Sequence, residues 1–509
     1  MSLTIASILA EAAVRHADRT AVVNGPTRIT YAELWDQARR YATVLRAKGI
    51  GAGDKVALLL PNTEHFPRAY FAVLALGGVC VPVHALLKAE EIEYVLSDSG
   101  AKALICAAPL LGEGAKGAEL AGVPVLAVMD GGDASVERLD ELARTAEPVA
   151  SMVSREAGDT AVVLYTSGTT GKPKGAEITH LNVIMNVTVS STDSFEIGPD
   201  DVVLGCLPLF HTFGQTVCMN TSFRVGASVV MLPRFDGRAA LDLLVDEHCT
   251  IFMGVPTMAI ALLEAAKTSD RRPALKYALS GGAALPVTVL EKFAEVFDCA
   301  VLEGYGLTET SPVATFNQKS FEPRPGTVGK AIWGVEVEIA KAELEERIEL
   351  LPTGELGEII VRGHNVFKGY LNKPEATAAA IVDGWFRTGD LGTKDAEGYV
   401  TIVDRKKDMV LRGGYNVYPR DVEEVLLRHP SVAQVAVIGL PHPSLGEEVC
   451  AVVVADGELT EDDLIAWAKG QLAAYKYPRR VIFTDAFPLG PSGKVLKREL
   501  VAVHREDSA

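Results

Sequence analysis

Paired cysteines are missing from this chain. Its seven cysteines (80, 106, 206, 218, 249, 299 and 450) are an odd number with no Cys-x-x-Cys among them. That pattern points to free thiols in a reducing compartment and away from a disulfide framework or a thiolate zinc site. Positive charge is also short. Against 66 Asp and Glu stand 49 Lys and Arg, a net charge of −17, the reverse of the basic footprint expected for nucleic-acid binding. A long unbroken apolar run is lacking too. The uncharged stretch 69–87 is interrupted by Gly77-Gly78 and Pro82, which predicts a helix followed by a strand and no membrane span. Residues 1–13 hold no basic n-region, so the expectation is a cytoplasmic protein without a secretory signal. Transient membrane contact stays open.

What is present is the size and patterning of a layered protein. With 509 residues, 48% hydrophobic and 23% charged, the chain can build two or more domains. Periodicity predicts a helix over 5–16, strand and turn from Thr20, a capping box at Thr30-Tyr-Ala-Glu33, and a strand over 56–60. Helix 64–76, strand 79–83, helix 89–98 and strand 102–106 continue the alternation. Such alternation predicts an α/β domain with largely parallel sheets. Beyond Gly326 the texture turns to short strands with Gly and Pro turns, a small β-rich subdomain. Helix 419–429, strands 432–439 and 449–455 and helix 461–472 then predict a compact α+β unit.

Chemistry concentrates in a few stretches. Strand 161–165 runs into Thr166, Ser167, Gly168, Thr169, Thr170, Gly171 and Lys172, ahead of Pro173-Lys-Gly175. Glycine backbone N–H groups, hydroxyls and two lysines can cradle a polyphosphate. The spacing is not that of a Walker A loop, which needs four residues between its glycines and a Ser or Thr after the lysine. Glu303-Gly304-Tyr305-Gly306-Leu-Thr308-Glu309 ends a strand with a ring able to stack on a purine. A hydroxyl and a carboxylate follow it. Phosphates are handled with Mg²⁺, and Mg²⁺ takes hard oxygens, which suits Glu309 as metal ligand and Thr308 as phosphate donor. Gly281, Gly282 and Ala283 leave room for a flat base, though a tight strand-to-helix turn before Pro286 fits equally. Asp390, after Thr388-Gly389, either accepts from both hydroxyls of a ribose or closes an Asx turn. The charged run Asp404-Arg405-Lys406-Lys407-Asp408 reads as a solvated linker, and Pro491-Ser-Gly-Lys494 as an exposed loop.

Tyr165-Thr-Ser-Gly-Thr-Thr-Gly-Lys-Pro-Lys-Gly175 resembles, almost letter for letter, the signature loop of the acyl-adenylate-forming superfamily. That group contains acyl-CoA synthetases, peptide-synthetase adenylation domains and beetle luciferases. Pro208-Leu-Phe-His211, Tyr305-Gly-Leu-Thr-Glu309, Thr388-Gly-Asp390, Asp404-Arg-Lys-Lys-Asp408 and Ser492-Gly-Lys494 match further motifs of the same group in the same order. The resemblance implies an N-terminal ATP- and acyl-binding domain over 1–404, a hinge at 405–408 and a mobile C-terminal domain over 409–509. It implies a large first domain of layered parallel sheets plus a small β-barrel-like subdomain. It also implies ATP, Mg²⁺ and coenzyme A as ligands, with Thr166 beside Glu309 at the metal. His211 and Phe213 would border the carboxylate pocket, and 281–283 would border adenine. Asp390 and Arg405 would hold the ribose, Lys407 would be the pivot, and Gly413 and Gly414 would line the thiol tunnel after rotation. Lys494 would stabilise charge at the α-phosphate.

The substrate is read from the residues. Stretches 206–230 and 252–263 are apolar and lack an obvious cation for a second carboxylate, with Arg224 and Arg234 as the exceptions to check. A medium- or long-chain fatty acid therefore leads, and Leu411-Arg-Gly-Gly-Tyr-Asn-Val-Tyr-Pro-Arg420 most resembles bacterial fatty-acyl-CoA synthetases. Aromatic acids such as benzoate or cinnamate come second and dicarboxylates such as malonate third. From another class, a luciferase-like oxygenase shares the adenylation chemistry. The cations from Lys476 to Arg480 either meet the phosphates of coenzyme A or form a plain surface patch. Partners are expected to be small molecules, with a monomer or dimer left open.

Overall fold

The alternating strands and helices assemble into two mainly parallel sheets. The protein is described by a computed structural model over residues 3–129, 131, 135–166, 172–490 and 494–505. One sheet has nine strands. Its parallel centre runs, in spatial order, through Ala300–Gly306, Tyr277–Ser280, Ile251–Gly254, Val202–Gly205, Ser228–Met231 and Thr20–Asn24. The other has seven, with Thr160–Thr166, Val79–Pro82, Lys55–Leu59, Ala103–Ala107 and Val125–Val128 parallel. Strands buried on both faces read as continuous apolar runs; Tyr277–Ser280 and Ile251–Gly254 are buried along their whole length.

Local chemistry sets the element boundaries. Thr30 Oγ1 accepts the Glu33 N–H while Glu33 returns a bond to the Thr30 N–H, the capping box expected from the sequence. The uncharged stretch 69–87 becomes helix His65–Ala75, a turn at Gly77-Gly78, and strand Val79–Pro82. Among the described residues no helix is long and apolar enough to cross a membrane.

The third sheet is antiparallel and built from Val335–Ala340, Gly357–Gly363, Trp385–Lys394, Ile381–Val382 and Val400–Arg405. Its inner face joins the same apolar core as the two parallel sheets. The fourth sheet holds Val432–His442, Gly446–Ala455, Arg480–Phe483 and two short strands. Val437, Val453 and Leu464 pack there in a core of their own, under helices Pro419–Leu426 and Glu461–Gln471.

Two local features bear on the site. Strand Thr160–Thr166 is followed by the strand Lys174–Thr179, which pairs antiparallel with it. The aromatic stretch after Val202–Gly205 winds into a π-helix over Phe213–Asn220, with a second at Ser190–Ser194. Such widened turns concentrate at functional sites.

Candidate active site

The carboxyl ends of the parallel strands in the nine-stranded sheet open onto one crevice, where ligands of open α/β sheets bind. Residues 404–408 line its joint, and its far wall comes from the C-terminal unit, including Lys494. The crevice has a volume of about 2560 Å³. A single small ligand occupies roughly 300–1,000 Å³, so a nucleotide and an organic acid can share the space.

Two buried carboxylates are held in place from the N-terminal side. Tyr305 donates its hydroxyl to Asp390 Oδ2 at 2.6 Å, and Arg405 Nε lies 3.1 Å from Oδ1. One lone pair remains on each Asp390 oxygen. Asp390 is only 4% exposed, and the turn before it is pinned by Glu358, which accepts the Gly389 N–H at 3.0 Å and pairs with Arg387. Glu309 sits in the short helical turn Thr308–Thr310, where its Oε1 accepts from the Tyr370 hydroxyl at 2.8 Å. Burial raises the Glu309 carboxyl above the usual carboxylate range, and the Tyr370 bond opposes that shift. Glu303, buried at the same strand end, is pushed up by burial to about 7, with Arg420 acting against it. Its Oε2 has no protein partner.

Cations enter from the other wall. The Lys494 stem packs on Gly282, its Cε 3.4 Å from where a Cβ would stand. Burial and Arg405 push its ammonium down to about 8, against the pull of Asp390 and Glu309. Among the described residues no carboxylate comes within ion-pair distance of it. His211 lines the crevice beside Phe213, and its Nδ1 accepts the Phe213 N–H at 3.2 Å. Burial, then the Lys494 charge, pushes its imidazole down to about 3. It is a neutral ring.

The glycines divide by role. A Cβ on Gly281 would stand 3.3 Å from the Phe213 ring, and Gly282, at φ +81°, leaves the place taken by Lys494. At Gly306 a Cβ would fall 1.8 Å from the Pro312 carbonyl oxygen, and at Gly304 2.6 Å from the Phe316 ring. Packing alone requires those two, although both line the crevice. Ala283 lines it as well.

Thus Thr166, Lys172, His211, 281–283, Glu303 to Glu309, Asp390, Arg405, Lys407 and Lys494 share one crevice. Ser167, Gly168, Thr169, Thr170 and Gly171 lie outside the described residues. Gly413 and Gly414 are not at the crevice. They form the exposed turn between Val410–Arg412 and Tyr415–Val417. Lys172 is exposed with its ammonium 4.9 Å over the Tyr94 ring. Lys476 pairs with Asp421 at 2.7 Å, and Arg479 stacks on Tyr477 and bonds backbone carbonyls, so these two do not wait for a phosphate. Arg224 and Arg234 are exposed and line no part of the crevice. Tyr370, Glu358 and His84 were not legible in advance. Tyr370 reaches Glu309 across 61 positions of sequence, and no local pattern marks such a partner.

The donor set suits the ligands. Hard oxygens from Glu309 and Thr166 match Mg²⁺ only if phosphates complete the shell, since no group of three or more His, Cys, Asp or Glu that could hold a metal occurs among the described residues. Tyr305, Asp390 and Arg405 offer a ring, acceptors and a cation for a nucleoside.

The motif for AMP-binding enzymes matches residues 9–371, and that for their C-terminal domain matches 421–494. The chain is 35% identical over 535 residues to the long-chain-fatty-acid–CoA ligase of Bacillus subtilis, covering 99% of this chain and 95% of that one. It is 39% identical over 487 residues to a feruloyl-CoA synthase of Amycolatopsis, covering 94% and 95%. Among solved structures, ATP-bound MatB from Rhodopseudomonas palustris superposes with a TM-score of 0.90 at 35% identity, covering 99% and 100%. The apo form of that protein gives 0.79, so the arrangement here is nearer the ATP-bound one.

Proposed function

The chain belongs to the AMP-binding enzyme family as an ATP-dependent acid–CoA ligase, and on that premise we propose that it activates a medium- or long-chain fatty acid. In the first half-reaction the acid's carboxylate oxygen attacks the α-phosphorus of ATP, pyrophosphate leaves, and acyl-AMP remains. In the second the thiol of coenzyme A attacks the acyl carbonyl, its proton is lost, and AMP departs. Lys494 stabilises the charge that develops between carboxylate and α-phosphate, worth most in a crevice shielded from water. Asp390 and Arg405 orient the ribose, Tyr305 covers the base, and Thr308 with the 166–172 segment holds phosphate oxygens. His211, a neutral ring, borders the carboxylate. Glu309 and Thr166 would hold Mg²⁺, which when bound neutralises phosphate charge.

The observation that carries this reading is the half-buried Lys494 ammonium, set without a carboxylate partner in the crevice that Asp390, Glu309 and Tyr305 face. Residues 1–404 and 409–509 are proposed as the two bodies, hinged at 405–408. The separate core of the second supports this division. Gly413 and Gly414, outside the crevice in this arrangement, would reach it only after rotation.

An apolar monocarboxylic acid is supported by the apolar part of the crevice lining, which includes Phe195, Phe213, Val217, Val255, Ile260 and Phe316. The aromatic share of that wall, with the feruloyl-CoA synthase relative, keeps aryl acids as the second reading. AMP release measured over acids from acetate to palmitate, with benzoate, ferulate and malonate, tests both. Turnover fastest on malonate would overturn the apolar assignment.

A further inference from the structure

Two imidazoles face the crevice, and only His211 has a part in the reading above. His84 follows strand Val79–Pro82 and lines the same space. Its Nδ1 accepts the Leu86 N–H at 2.7 Å, which places the ring proton on Nε2. That Nε2–H is buried with no partner among the described residues, and a buried donor is costly to leave unpaired. The ring packs 4.4 Å, centroid to centroid, from Phe210, the neighbour of His211.

His211 is wired alike. Its Nδ1 accepts the Phe213 N–H, so its proton also sits on Nε2. Burial pushes both rings down, His84 to about 4 and His211 to about 3, and His84 is among the groups that disfavour a charge on His211. Lys494 acts on His211 in the same way. Two neutral N–H donors and an ammonium therefore meet in one crevice. An arrangement of donors fits an anionic oxygen. Neither ring, with Nδ1 occupied and Nε2 protonated, can take a proton from a thiol.

We propose that His84 Nε2–H donates a hydrogen bond to an anionic oxygen of the bound reactants, completing a donor set with His211 and Lys494. The oxygen belongs either to the acid's carboxylate or to the phosphate chain of ATP. This assignment rests on the ligase reading. His84 is a binding donor held in one tautomer by the chain itself.

The test uses the full-length enzyme and acid-dependent pyrophosphate exchange. His84→Ala is expected to lower kcat/KM about tenfold or more, and His84→Gln, which restores an N–H, to recover part of it. A rise confined to the KM of the acid assigns the carboxylate, and one confined to the KM of ATP assigns the phosphate chain. In the wild type, ¹⁵N-histidine NMR should show His84 as the Nε2–H tautomer, with that proton moving downfield on adding a sulfamoyl analogue of the acyl-adenylate. If His84→Ala folds poorly, this measurement still decides. A folded, fully active His84→Ala enzyme, or an imidazole unmoved by the analogue, overturns the assignment. A wild type that releases no AMP with any acid would instead bring down the ligase reading and this inference with it.

Discussion

The two walls of the crevice are built on different principles. On the N-terminal wall each working carboxylate is tied before any ligand arrives: Asp390 to Tyr305 and Arg405, Glu309 to Tyr370, and the turn beneath them to Glu358. On the opposite wall Lys494 reaches in with its stem against Gly282 and, among the described residues, no carboxylate within ion-pair distance of its ammonium. The first wall is preorganised; the second brings a charge that costs energy to bury and that the proposed rotation would withdraw. A single site that must run two reactions in turn gains from that asymmetry. On the proposed mechanism the fixed groups would hold the nucleotide throughout, while the movable one would serve a single step.

The sharpest break in this comparison is Lys494→Ala. Removing a preset charge-stabilising donor costs about 10²–10³-fold in rate. Pyrophosphate exchange should fall by that much, while thioester formation from supplied acyl-AMP changes little; equal loss in both halves would contradict the division of labour. Next, Lys407→Pro should stiffen the proposed pivot. Thioester formation is expected to drop about a hundredfold with pyrophosphate exchange spared, and an intact second step would remove the pivot from 405–408. Asp390→Asn tests the fixed wall. It weakens bonds to Tyr305, Arg405 and ribose, and a charge-assisted bond is worth roughly 1.5–3 kcal/mol, so the KM of ATP should rise about tenfold to a hundredfold.

Smaller effects follow from titration and from the second partner of Glu309. The Lys494 ammonium lies near about 8, below the ordinary lysine range, so its charge is lost as pH rises through that value. Adenylation should fall about tenfold per pH unit above it, without a matching limb in thioester formation from acyl-AMP. The linkage sign is fixed as well. Between about 8 and the unfolded lysine value the unfolded chain binds more protons, so this group lets stability increase with pH there. Lys494→Met should then leave the thermal midpoint unchanged or raise it at pH 7. Least of all, Tyr370→Phe removes one hydrogen bond to Glu309, worth about 1 kcal/mol. The metal concentration for half-maximal activity should rise about fivefold, and no change would detach Tyr370 from the site.

Much of the site was legible because its residues lie in short contiguous strings. Thr308 and Glu309 share one turn, and Thr388 to Asp390 another, so local spacing carries the chemistry. Partners from distant strands were not legible. Nothing near Tyr370 announces Glu309, and His84 in an apolar stretch gives no sign that its free nitrogen faces the crevice. The antiparallel return of Lys174–Thr179 onto Thr160–Thr166 was also hidden, since it is made by backbone bonds that side-chain pattern does not reveal.

By itself the sequence settled the layered α/β architecture and the order of its motifs, because periodicity and short-range spacing are properties of a single stretch of chain; the reaction class came from the resemblance those motifs carry. Tertiary structure alone decided that the second nitrogen of His84 is buried at the crevice, which cations are already engaged, and which glycines serve packing. Those outcomes depend on burial and on hydrogen bonds between segments far apart in the chain, and only folding brings such segments within reach.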